Sequence, residues 1–309
     1  MELHPDTSIH SGYHLPVMLR ESVDALNIRP DGTYVDCTFG GGGHSREILS
    51  RLGPEGRLVA FDRDADAAAN LPDDARLVFV PHSFRFLYRF LRYTGHIPVD
   101  GILADLGISS HQIDEASRGF AHRYDAELDM RMDRQSPLHA GMVVNQYSEE
   151  ALIRMFRNYG EISNAPKLAS RIADARRQQD IKTTGALCEA ISSCTSAHTR
   201  NKYFSQVFQA IRMEVNGELH ALEALLEQSA EVLSPGGRLV IISYHSLEDR
   251  MVKHFLAAGN MEGTRVTDLY GNIQRPFDPL QNRAQMPEDA EINRNRRARS
   301  ARLRTGIKR

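Results

Sequence analysis

Four consecutive glycines at 40–43 follow a β-prone run that ends on Asp36, and the chain then reads as helix from His44. A chain that leaves a strand, turns tightly and opens a helix offers backbone N–H groups at the helix start. That is how a nucleotide-type cofactor is gripped, so the pattern demands an αβ unit here. The spacing narrows the cofactor. A dinucleotide fingerprint needs G-x-G-x-x-G. Counting from Gly40 and Gly42, the third position is Ser45; counting from Gly41 and Gly43, it is Arg46. No Gly-Lys-Ser/Thr follows, which removes a P-loop. An acid followed by alternating small residues does fit: Asp36, Thr38, Gly40, Gly42. The competing reading is a glycine-rich surface turn, which four glycines directly after a buried-type strand disfavour.

This alternation resembles the first motif of class I S-adenosylmethionine-dependent methyltransferases, with Thr38 where glycine is commoner. A compact amino-acid moiety must lie against bare backbone, which glycine permits. The next apolar run, 57–62, ends on Asp62, 20 residues after Gly42. An acid there can accept both hydroxyl hydrogens of a ribose. Its competing role is an N-cap for a helix over 64–70.

At 309 residues the chain can bury a large core, and 41% apolar with 25% charged residues is a soluble globular composition. No apolar run reaches membrane-span length, and Met-Glu-Leu-His-Pro-Asp6 lacks a basic stretch plus apolar core, so no membrane partner is expected. Three cysteines, Cys37, Cys188 and Cys194, make no disulfide framework and no C-x-x-C metal pattern. The expectations are a cytoplasmic protein with no metal site. Net charge is −2, but residues 293–309 carry eight Arg and Lys and no acid. Such a tail suits a phosphate backbone, or is a solvated basic end.

Short apolar runs at 33–38, 57–62, 76–80 and 99–105 alternate with helical patterns at 44–52, 64–70 and 83–93. This predicts an open parallel α/β sheet with ligands at the carboxyl ends of its strands. The alternation stops at a long polar stretch, 107–133, a length that is uncommon unless functional. Helical patterns at 148–158, 165–179, 183–194 and 200–214 follow, without strands. The sequence therefore predicts a discontinuous α/β domain, 1–133 and 216–309, with a helical domain inserted at 134–215. A helix over 218–233, a strand over 238–244, a helix over 245–258 and a strand within 300–306 complete the pattern. Residues 259–292 read as loop.

Four blocks occur in order: Cys37-Thr-Phe-Gly-Gly-Gly-Gly-His-Ser45, Asp100-Gly-Ile-Leu-Ala-Asp-Leu-Gly-Ile-Ser-Ser110, Leu128-Asp-Met-Arg-Met-Asp133 and Ser243-Tyr-His-Ser-Leu-Glu-Asp-Arg250. Together they closely resemble the MraW (RsmH) family, bacterial methyltransferases that act on N4 of a cytidine in the decoding region of 16S ribosomal RNA. The resemblance runs from about His14 to about Arg304. It implies a class I, Rossmann-like S-adenosylmethionine-dependent methyltransferase domain with an inserted all-helical domain. It implies S-adenosyl-L-methionine as cofactor, bound by Gly42, Gly43, His44, Asp62, Phe84, Asp105 and Gln112, with Asp36 a weaker candidate. The physical roles are close backbone approach at Gly42 and Gly43, a backbone N–H of His44 facing a carboxylate, and the Phe84 ring against adenine. Without the resemblance, Phe84 reads as core beside Phe86, Leu87 and Phe90. The chain departs from the family pattern at Arg118-Gly-Phe-Ala-His122, at Tyr244 where Phe is usual, and at Arg200-Asn-Lys-Tyr-Phe204.

The exocyclic amine of cytosine is a poor nucleophile, so the enzyme needs in-line positioning and a hydrogen-bond acceptor. Asp105 is one candidate acceptor, with cofactor binding as its competing role. Tyr244, His245 and Ser246 are candidates at the target base, and the competing role of that segment is a helix cap with Ser246 capping. The target base must be unpaired or flipped. Candidate phosphate contacts are Arg118, Arg123, Arg131, Arg171, Arg176, Arg177 and Lys202, with Arg296 and Arg297 in the tail; each competes with an ordinary surface charge. The implied partner is 16S ribosomal RNA, expected within the small ribosomal subunit, with the enzyme a monomer or homodimer. The alternatives are a methyltransferase acting on DNA, protein or a small molecule, and a non-catalytic cofactor-binding RNA chaperone.

Overall fold

The computed structural model describes residues 16–309. The N-terminal six residues read above, and His14, lie outside that range. Seven strands form one sheet in the order β3-β2-β1-β4-β5-β7-β6. They are β1 (Thr33–Asp36), β2 (Arg57–Phe61), β3 (Leu77–Val80), β4 (Val99–Leu106), β5 (Leu233–Ser243), β6 (Phe277–Pro279) and β7 (Arg302–Lys308). The first five run parallel, and β7 lies antiparallel between β5 and β6. The central strands are apolar on both faces because helices cover both, and Val35, Val59, Ile102 and Leu239 are wholly buried. In register, Asp36 pairs with Leu103 and Asp105 with Ile242, so their acidic ends share one edge of the sheet.

Helices α1 (Leu19–Leu26), α2 (Gly43–Arg51) and α3 (Leu87–Tyr93) pack beside these strands. The expected helix at 64–70 is instead a 3-10 segment, Ala65–Asn70, capped by the Asp64 side chain on the Asp66 N–H. A 3-10 turn, Phe84–Phe86, also leads into α3. Between β4 and β5 the chain is helical: α4 (Ser110–Asp114), α5 (Ala140–Gln146), α6 (Glu149–Gly160), α7 (Ala165–Gln178), α8 (Thr184–Ile191), α9 (Arg200–Asn216) and α10 (Glu218–Val232). Helices α5 to α9 enclose their own apolar core around Phe156, Ile172 and Phe208, separate from the three clusters on the sheet. That core draws in Phe120, Leu128 and Met130 from the long polar stretch. Helices α11 (Ser246–Ala258) and α12 (Asp289–Arg294) follow β5.

Two sequence expectations change here. Residues 259–292 are not all loop: Phe277 is fully buried on β6, a strand too short to carry periodicity. The basic tail is only in part a free end: the strand expected within 300–306 forms as β7, while Arg294, Arg296 and Arg299 are exposed. Its last residues form β7 inside the sheet, where Arg302 and Arg304 both pair with Asp249, and Arg309 pairs with Asp278. Alternation of Arg with Leu303 and Thr305 places the uncharged side chains inward and the Arg302 and Arg304 guanidinium groups on Asp249.

Candidate active site

The glycine loop is held by Asp36. This wholly buried carboxylate accepts the Thr38 N–H at 3.0 Å and the Ser45 hydroxyl at 2.7 Å, tying the end of β1 to the first turn of α2. Its oxygens are thus engaged within the protein. Thr38 has a purpose a glycine could not serve, because its hydroxyl accepts the Asp105 N–H at 2.8 Å and locks β4 to the loop. Gly42 sits at φ +75°, and a Cβ there would lie 2.9 Å from the Phe39 ring. A Cβ on Gly43 would lie 2.8 Å from Pro16. Helix α2 starts at Gly43, so its first N–H groups have no intrahelical acceptor and point, with the positive end of the dipole, out of the helix start. The His44 backbone belongs to that first turn; its ring is buried, with Nε2 3.1 Å from the Val17 carbonyl oxygen.

Asp62 closes the other side. One of its oxygens accepts the Gly40 N–H at 2.7 Å and the other the Asp64 N–H at 2.8 Å. It is therefore not the cap of the following segment, which is Asp64. Burial pushes its carboxyl up to about 6, against the lowering effect of those two N–H donors. Gln112 lies next to it through Asp64: its Nε2 donates to Asp64 Oδ2 at 2.7 Å while its Oε1 accepts the Ser109 N–H in a capping box on α4. Phe84 is half-buried after β3 and packs against the core on that face of the sheet.

At the end of β4, the Tyr244 hydroxyl donates to Asp105 Oδ1 at 2.7 Å. No second hydrogen bond to this carboxylate exists among the described residues. Burial raises the Asp105 carboxyl, opposed by His44 and by the Tyr244 hydrogen bond. Burial, with the Asp105 charge, pushes the Tyr244 hydroxyl well above its ordinary value, so it stays a donor. The departure from Phe at this position supplies that donor.

The cap of α11 is His245, one residue before the Ser246 expected from sequence. Its Nδ1 accepts the Glu248 N–H at 3.4 Å, and its buried Nε2 lies 3.0 Å from Glu248 Oε1 without forming a hydrogen bond. The ring is turned into the protein. Ser246 instead donates to Glu161 at 2.9 Å, across to the end of α6. Glu218, His245 and Glu248 bring ligand-type atoms within 4.8 Å of one another. Both Glu218 oxygens are held by the Arg212 guanidinium, at 2.8 and 2.9 Å, so that carboxylate already has its cation.

The candidate RNA arginines divide. Arg118 is corrected: only 3% exposed, it bridges Asp64 and Asp66 and donates to the carbonyls of Arg131 and Met132, so it fastens the polar stretch to the end of β2. Arg131 is corrected likewise, since it is folded back on Asp129 and on the carbonyls of Arg134 and Ser136. Arg123 and Arg297 both reach Asp114. Arg176 donates to the Val144 carbonyl, and Arg171 and Arg296 are exposed. Sequence reasoning missed the seam residue Asn216. Its side chain accepts the Met132 N–H and donates to the Met130 and Arg212 carbonyls, and its own carbonyl accepts from Arg63, next to Asp62. No pattern announces it, because its partners lie 84 and 86 residues away along the chain.

Bare backbone over a helix start, flanked by two strand-end acids, fits an amino-acid-bearing nucleoside. The description "MraW methylase family" matches residues 11–309. The chain belongs to this family. It is 53% identical over 296 residues to ribosomal RNA small subunit methyltransferase H of Bacteroides thetaiotaomicron, covering 96% of this chain and 97% of the relative. It is 54% identical over 296 residues to the protein of that name from Flavobacterium johnsoniae, covering 96% and 98%. A solved rRNA methylase from Streptococcus thermophilus aligns with 12% identity and a TM-score of 0.42, over 96% of this chain and 98% of that one. As an MraW methylase, the chain is an S-adenosylmethionine-dependent methyltransferase with the class I, Rossmann-like sheet described above. Among the described residues, no helix is long and apolar enough to cross a membrane.

Proposed function

We propose that this MraW methylase transfers the methyl group to N4 of one cytidine in the decoding region of 16S ribosomal RNA, in the cytoplasm and on the small subunit. Ribosomal RNA as the substrate class rests on the names of the curated relatives, which span nearly the whole chain. The observation that carries the amine target is the Asp105 carboxylate, at the end of the strand beside the glycine loop, with a single donor on it among the described residues. The domain reading is part of the proposal: the sheet and its helices hold the cofactor, and the helical insert presents RNA.

S-adenosylmethionine supplies an electrophilic methyl group on a sulfonium. The α2 start and the Gly42–Gly43 backbone would receive its amino-acid end, Asp62 its ribose, and Phe84 its base. The chain's own task is to make the amine nucleophilic. Asp105 accepts a hydrogen bond from the cytosine amine and so draws its lone pair out of conjugation with the ring. The same carboxylate is then placed to take the proton the methylated amine sheds. Tyr244 fixes the orientation of that carboxylate and holds its proton affinity down. His245 caps α11 and keeps Tyr244 in place, and is not assigned contact with the base.

The function is tested with labelled S-adenosylmethionine and small subunits from cells lacking the enzyme, mapping the modified nucleoside. Label in N4-methylcytidine is expected; label at C5 or on another base overturns the amine target. Tyr244→Phe removes the donor that lowers Asp105, so the acidic limb of the pH–turnover profile should move to higher pH. An unmoved limb would separate Tyr244 from the chemistry.

A further inference from the structure

The segment between Asp74 and Asp100 contains no acid, yet it carries Arg85, Arg89 and Arg92 on and just before α3. Arg89, Arg92 and Tyr93 lie three and four residues apart along one face of α3, and Arg85 precedes them in the 3-10 turn that leads into the helix. The opposite face is buried through Leu87 and Leu91, both 0% exposed. All three arginines are exposed, and Tyr93 is 89% exposed. Elsewhere this chain neutralises many of its arginines on carboxylates, as at Arg118, Arg212, Arg302 and Arg304. Here no carboxylate pairs with any of the three among the described residues. Arg85 and Arg89 lie over the Phe86 ring instead, at 4.5 and 5.9 Å. A ring orders a guanidinium without cancelling its charge. The backbone beneath is also fixed, because Gln228 on α10 accepts the Tyr88 N–H and donates to the Arg85 carbonyl.

We infer that this α3 stripe is a second RNA-contact surface, on which Arg85, Arg89 and Arg92 hold successive phosphates and Tyr93 stacks on an unpaired base. A row of arginines without acid partners among the described residues, two of them ordered on a ring, and ending in an exposed aromatic ring, is the chemistry that recognises a sugar–phosphate backbone with exposed bases. The stripe starts one residue after Phe84, beyond the carboxyl end of β3, so RNA bound there borders the cofactor cleft. It is on the sheet domain and is separate from the helical insert. The inference rests on the RNA substrate proposed above.

The test is binding and turnover with small subunits from cells lacking the enzyme, for the wild type, R85A/R89A/R92A, R85K/R89K/R92K and Y93A. The triple Ala variant should raise KM for the subunit severalfold or more. It should flatten the plot of log affinity against log salt by about 2–3, since each lost phosphate contact removes roughly 0.7–0.9. Cofactor affinity, melting temperature and kcat at saturating subunit should stay at wild-type values. The triple Lys variant should restore the slope. Tyr93→Ala should weaken binding without changing the slope. Wild-type KM and slope in the triple Ala variant would overturn the inference. Because the slope is read from binding alone, it stands apart from the function: a wild type that puts no label into RNA refutes the RNA reading, whereas labelled RNA with an unchanged slope refutes only the stripe.

Discussion

Asp105→Asn should lower turnover on small subunits by about 100- to 10,000-fold, the range a positioned acid–base group supplies. The substitution is nearly isosteric, and the new amide oxygen can still accept the Tyr244 hydroxyl that now lies 2.7 Å away. What is lost is the free acceptor, since the second oxygen becomes an NH₂ donor facing an amine that is itself a donor. Cofactor affinity measured by calorimetry should change by less than about threefold, because the Asp105 N–H bond to Thr38 that locks the loop is a backbone contact. The reverse pattern, full turnover with weakened cofactor, would make Asp105 a cofactor ligand and remove it from the chemistry. Burial already raises the Asp105 carboxyl, so the wild-type profile should lose activity on its acidic side, as the protonated form cannot accept the amine hydrogen bond.

Much of this site was legible in local sequence. The strand–glycine–helix pattern at 33–44 and the acid at Asp62 led directly to the loop and its closing carboxylate, because both are short-range consequences of backbone geometry. The four in-order blocks gave the family. What was not legible depends on tertiary partners. A sequence cannot show that Arg118 is buried on Asp64 and Asp66, or that Arg302 and Arg304 share Asp249, since those acids lie 52 to 55 residues earlier in the chain. An arginine in a polar stretch looks the same whether it meets a phosphate or an internal carboxylate. The α3 arginines draw no reading of their own, because the segment 83–93 reads only as a helix, with Phe84 as core beside Phe86, Leu87 and Phe90. The one-residue error at the α11 cap has the same origin. Ser is the commoner cap, yet His245 holds the extended backbone conformation, with φ −135° and ψ 163°, that a cap requires.

Asp62→Ala should weaken cofactor binding by at least about 100-fold, a loss of the order expected when two hydrogen bonds to a charged acceptor disappear. The carboxylate has two jobs that the alanine forfeits together. It accepts the Gly40 N–H and the Asp64 N–H, which holds the glycine loop against the end of β2, and it is the acceptor proposed for the ribose hydroxyls. The pH dependence separates this account from simple loss of fold. The folded carboxyl is raised to about 6 from an ordinary value of 3.8, so it contributes least stability above pH 6, and the destabilisation sets in as pH rises from about 4 to 6. Binding has the opposite dependence, because hydroxyl donors need the ionised form. The wild-type dissociation constant should be flat above about pH 7 and rise up to tenfold per unit as pH falls through 6, with a proton taken up on cofactor release. In Asp62→Ala that dependence should vanish while the weak binding remains. A wild-type constant that stays level from pH 7 to 5 would mean that Asp62 does not meet the cofactor in its charged form, leaving it only the task of holding Gly40.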